Sequence, residues 1–169
     1  MRKPKKLTAL LLALTLLFAG AACGSGNSTT DGGKTISGTL PEIIDRLYDT
    51  VDVDDEQRDF LKNSVGTVEI PKDQSAYYFG VENLDFEEAV ASEPFINAIA
   101  FSVCLMRVKD GTDIDELKAE IRRSANPAKW ICVDVNPNDV RVESVGDLVL
   151  LIMADDSEKY SEAFYALAE

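Results

Sequence analysis

Residues 99–111 read IAFSVCLMRVKDG. Ile99, Phe101, Val103 and Leu105 alternate with Ala100, Ser102, Cys104 and Met106, a period of two that sends successive side chains to opposite faces of a strand. Asp110 and Gly111 turn the chain. A helix is predicted over 113–124, because Asp113 and Glu116 stand at capping-box spacing and Ile114, Leu117 and Ile121 share one side; Pro127 marks its end. Trp130 to Val135 then reads as a strand, 136–139 (NPND) as a turn, and Val140 to Ser144 as another strand. Val145, Gly146 and Asp147 connect into Leu148 to Ala154, whose LVLLIM run is apolar on both faces and therefore central in the sheet. A closing helix, capped by Asp156 or Ser157, turns Tyr160, Ala163, Phe164 and Leu167 inward. The order strand, helix, three strands, helix predicts an α+β fold: a mainly antiparallel sheet of four to five strands with helices packed on one face, a two-layer sandwich.

Upstream, Thr39, Pro41 and Glu42 open a helix by capping-box chemistry, and Leu40, Ile43, Ile44, Leu47, Tyr48 and Val51 follow the i, i+3, i+4, i+7 rule. A second short helix is predicted from Asp55 to Ser64, capped by Asp54 and packed through Phe60, Leu61 and Val65. Thr67 to Ile70 and Ala76 to Phe79 read as short strands separated by Pro71, and Asp85 to Ser92 as weakly helical.

The first 22 residues have another character. Arg2, Lys3, Lys5 and Lys6 precede a continuous apolar run from Leu7 to Phe18, and the small residues 19–22 precede Cys23. That is the layout of a secretory signal, and a run of twelve falls short of the about 20 residues needed to cross a bilayer core. Gly20, Ala21 and Ala22 before Cys23 resemble a lipobox, which implies that Cys23 receives a diacylglyceryl group and becomes the mature N-terminus. Two acyl chains hold a protein on a membrane far more firmly than one. Residues 24–38 (GSGNSTTDGGKTISG) are read as a flexible tether. The expected organisation is thus 1–22 signal peptide, 23–38 lipidated Cys and tether, and 39–169 a single α+β domain on the extracytoplasmic face of the cell membrane.

Without residues 1–22 the chain keeps 13 of its 17 basic residues against 30 acidic ones, a net charge of −17. Such a balance disfavours nucleic acid and anionic headgroups as partners. The 131 residues from Thr39 suit one core. There is no histidine, which removes Ser-His and Cys-His nucleophile pairs, His-ligated zinc and His general bases.

Cys104 and Cys132 are left after lipidation. If the apolar faces of their two predicted strands meet the same helices, both thiols lie on the other side of the sheet, as a disulfide or as two free thiols; no CxxC pair marks a redox site. The acids Asp49, Asp52, Asp54, Asp55, Glu56 and Asp59 fail the EF-hand spacing, with Gln57 where Gly is needed and Asn63 where a bidentate Glu belongs. They read as a cap and a solvated helix face, just as Asp134, Asn136, Asn138 and Asp139 read as turn residues. Trp130 reads as a packer at the core's edge. GKT at residues 33–35 lacks the Gly of a phosphate loop. No catalytic, cofactor-binding or metal-binding residue is therefore assigned.

The stretch from Leu40 onward resembles a family of small bacterial lipoproteins with a C-terminal domain of unknown function. Its LPEII helix, ASEP segment (91–94), RVKDG turn (107–111), KWICV strand (129–133) and GxLVxLIM strand (146–153) occur here in order. The resemblance implies no activity, cofactor or catalytic residue. The expectation is a lipid-anchored envelope protein without a cofactor, a binding or assembly module for an envelope protein or small ligand. The alternative is a carboxylate-dependent hydrolase acting on cell-wall material.

Overall fold

The computed structural model describes residues 33–169; the expected signal peptide, Cys23 and the first part of the expected tether lie outside the described residues. Among these, five helices accompany a five-stranded sheet, every neighbouring pair antiparallel: α1 (Leu40–Thr50), α2 (Asp55–Asn63), β1 (Val65–Glu69), α3 (Ser75–Phe79), β2 (Phe86–Pro94), β3 (Ser102–Val108), α4 (Ile114–Ser124), β4 (Val140–Val145), β5 (Leu148–Met153) and α5 (Ser157–Ala166). The strand order is β1-β2-β3-β5-β4, so β3 and β5 sit beside one another in the interior. The predicted α+β class and antiparallel sheet are what the chain forms.

The pleat sorts β3 and β5 into two cores. Val103, Leu105, Leu148, Leu150 and Ile152 share a core with α1, α2 and α5 through Leu40, Ile43, Ile44, Leu47, Leu61 and Phe164. Cys104, Met106, Val149, Leu151 and Met153 face the other way, onto Phe79, Ile121, Trp130 and Val135. Beside the expected helix layer, the second face thus carries a thinner cover made of α3, α4 and an irregular stretch. Neither face of the sheet is open.

The caps follow the sequence. Gln57 N–H donates to Asp54 Oδ1 at 2.8 Å and Glu116 N–H to Asp113 Oδ1 at 3.0 Å, and the Thr39 N–H donates to Glu42 at 2.9 Å, holding that carboxyl below its ordinary pKa.

Four expectations need correction. Residues 76–79 form helix α3, ended by Gly80 at φ +76. Residues 85–92, expected to be weakly helical, lie largely in β2; Val90 meets one core and Ala89 and Ala91 the other, so burial on both faces erased the alternation. Residues 130–135 have no strand partner: Ile131 N–H donates to Asn97 O and Val135 N–H to Pro127 O, and the stretch lies across the sheet as a cover. Residues 35 and 36, expected to belong to a flexible tether, are docked: Thr35 and Glu169 exchange backbone hydrogen bonds and Ile36 is buried. Burial of Ile36 and hydrogen bonds from Arg107 to Gly38 O and between Thr35 and Glu169 dock this segment together.

Candidate functional site

The Lys129 side chain is only 3% exposed. A buried ammonium requires a partner, and this one has several. It lies 2.5 Å from Glu93 Oε1 on β2 and donates to Ser102 Oγ on β3 at 3.2 Å, while that hydroxyl donates to Glu93 at 2.7 Å. The rings of Tyr77, Tyr78 and Trp130 surround it at 4.8, 5.4 and 5.4 Å from their centroids, within cation–π range. Tyr77 and Tyr78 come from α3 and Trp130 from the irregular stretch, so one ammonium pins both covers to the sheet.

The cluster holds groups that do covalent chemistry elsewhere, but its surroundings disarm them. Ser102 and Cys104 are fully buried, their Oγ and Sγ 3.3 Å apart. Burial pushes the Cys104 thiol up to about 11, outweighing the pull of Lys129 in the other direction. A protonated, enclosed thiol is not a nucleophile. The arrangement is a clamp.

Around it, the surface is unusual. Phe95, Ile96, Ile131, Val68 and Tyr77 are 74, 63, 63, 53 and 48% exposed, five of the six large exposed hydrophobics among the described residues. They are neighbours. The Phe95 ring lies over Gly66, where a Cβ would stand 2.6 Å from it, and Gly66 pairs with Glu93. Val68 follows on the same face of β1, Tyr77 lies against Lys129, and the Ile131 to Asn97 hydrogen bond brings Ile131 beside Ile96. Single exposed apolar residues are ordinary, whereas a cluster of aromatic and branched side chains is how binding surfaces look.

A separate cleft of about 290 Å³ lies between α2 and the turn from β5 to α5. Phe60, Phe101 and Tyr160 contribute to its wall, the Phe60 and Phe101 rings edge to face at 5.4 Å, and Tyr160 accepts from Gln57 Nε2 at 3.0 Å. Burial raises the Tyr160 phenol above its ordinary pKa. Three carboxylates reach the cleft. Asp54 is engaged as the α2 cap, and Asp156, at φ +55, binds Lys159 at 3.0 Å and holds that ammonium's pKa up. Asp155 alone is left for acid–base work, and glycoside hydrolysis requires two carboxylates.

The residues singled out from the sequence mostly serve structure. Cys104 and Cys132 are both free thiols, the first buried in β3 and the second exposed at φ +61. In the acidic run, Asp49 approaches Lys62 at 4.0 Å and Asp59 accepts from Asn63 at 2.8 Å. In the 136–139 turn, Asn136 Oδ1 accepts from Asn138 N–H at 2.9 Å. Among the described residues no three His, Cys, Asp or Glu side chains converge as a metal site, and no helix is long and apolar enough to cross a membrane. Sequence reasoning missed Phe95, Ile96 and Ile131. Two large apolar residues directly after Pro94, outside any period, were the available signal. Comparison with family models, curated proteins and solved structures finds no match to this chain.

Proposed function

We propose that the chain is an extracytoplasmic lipoprotein, held on the cell membrane through Cys23, whose domain is a non-catalytic binding or assembly module docking an envelope protein on the surface of Val68, Tyr77, Phe95, Ile96 and Ile131. The observation that carries this reading is the gathering of those five exposed side chains over a rigid clamp. Flexible anchors lose entropy on binding, so a preorganised support raises affinity. The anchor rests on the sequence around Cys23, and the acidic surface argues against nucleic acid.

The test is capture of partners from native envelope by the tagged, lipidated protein, alongside its Phe95→Asp/Ile131→Asp variant and a control lipoprotein with the same tether. Both positions are exposed, so the variant is expected to keep the fold. A partner held by the native surface and released by the variant supports docking. Equal retention overturns it. The same preparations incubated with cell-wall material test the hydrolase: turnover that Asp155→Asn abolishes would favour that alternative.

A further inference from the structure

Strand β1 is a sheet edge, and its register says which of its backbone groups are open. Ile70 N–H donates to Ala89 O at 2.8 Å and Phe95 N–H to Ser64 O at 3.1 Å, so residues 64, 66, 68 and 70 are those bonded to β2. The N–H and C=O groups of Val65, Thr67 and Glu69 therefore point away from the sheet. Edges are usually guarded by Lys, Pro, a bulge or a covering element. β1 (VGTVE) has no Lys, Pro or bulge, and its last three residues are exposed. The opposite edge strand β4 differs: Arg141 and Glu143 bind Ser157 and Ser161 of α5, and Lys118 of α4 binds Ser144.

We infer that the partner enters as an extended segment added to the free edge of β1, with apolar side chains set against Val68 and Phe95 and basic residues at its ends. This rests on the docking reading above and specifies its mode. Strand addition takes affinity from the main chain and specificity from side-chain sites along the edge, the two features that coincide here.

Charge selects the occupant. From residue 34 onward the chain has 13 basic residues against 29 acids, Asp31 lying upstream, and the exposed edge carries Glu69 and no base. A second copy would bring two domains of net charge −16 together, which opposes self-pairing. The chain's own residues 24–32 are Gly and polar throughout. Lys34, which follows them, lies across the sheet from β1, its O 3.2 Å from the Cβ position of Gly146 in the turn between β4 and β5. A basic segment from another protein fits what remains.

The test uses the full mature chain, lipid-anchored in nanodiscs, and three synthetic peptides: KTVTVTVK, the same peptide N-methylated at alternate residues, and ETVTVTVE. Hydrogen exchange is read residue by residue. The inference predicts that KTVTVTVK slows the amides of Val65, Thr67 and Glu69 by about tenfold or more, that N-methylation abolishes the effect, and that ETVTVTVE fails at the same concentration. Equal action of the acidic peptide, or no slowing at these three amides, overturns it. Slowing confined to the Phe95–Ile96 and Ile131 segments removes strand addition but leaves surface docking standing; loss of docking itself is read separately, from equal retention by the Phe95→Asp/Ile131→Asp variant.

Discussion

At the scale of the residue, Cys104 and Lys129 lie in one buried cluster with Ser102 and Glu93, and burial sets what each side chain can do. Alternation placed Cys104 correctly on the face opposite Val103 and Leu105, but nothing in the sequence said that this face was also buried, or that Lys129, 25 residues later, would end beside it. Burial gives the thiol a pH signature. Its pKa is about 11 folded against an ordinary 9.0, so the unfolded chain loses this proton first. Stability is thus unaffected below about pH 9 and falls as pH rises towards 11, by roughly 1.4 kcal/mol per unit between the two values. Tyr48, held neutral by burial, adds to the fall only above pH 10. Urea denaturation of the native chain and of Cys104→Val at pH 8 to 10 checks this: the native chain loses stability faster. The clamp yields a second prediction. Lys129→Ala leaves Glu93 without its ammonium and costs about 3 to 5 kcal/mol, whereas the double change Lys129→Met/Glu93→Leu costs less, because no uncompensated charge is left inside.

At the scale of the element, the well-read parts were those with one solvated face. α1 and α4 show their period and their caps because water lies on the other side. β2 and residues 130–135 were misread for opposite reasons. β2 is covered on both faces, so its apolar pattern lost the period of two, whereas 130–135 alternates by chance and finds no partner. α3 was misread because five residues are too few to display a helical period; what fixes it is Gly80. At φ +76, an added Cβ there would stand 2.0 Å from the Ser124 carbonyl oxygen. Gly80→Ala therefore meets both a disfavoured backbone and the end of α4, and is expected to cost more than the about 1 kcal/mol of an ordinary Gly cap. Thermal unfolding measures this. A Gly111→Ala control, also at positive φ but with open space around it, separates the backbone strain from the clash.

At the scale of the whole molecule, α+β class and the interior place of LVLLIM were readable, because an uninterrupted apolar strand is covered on both faces; the central strand itself is β3. Where the domain begins was not, since one apolar residue in a Gly/Ser-rich stretch gives no period. The pairing of Thr35 with Glu169 ties residues 34–36, beside the β4–β5 turn, to the segment that follows α5. Chains starting at residue 33 and at residue 39 should accordingly differ in thermal midpoint, the shorter one melting lower through loss of Ile36 burial and of these hydrogen bonds. Lys34, beside the β4–β5 turn, and the apolar surface of Phe95, Ile96 and Ile131 lie at opposite ends of the strands, which leaves that surface clear of the point where the described residues begin. Photocrosslinking in intact envelope tests this most directly, with p-benzoylphenylalanine replacing Phe95 in one sample and Tyr165, the exposed aromatic outside the surface, in another. The account predicts a discrete protein adduct from position 95 that position 165 does not give; the same adducts from both, or none from position 95, would contradict it.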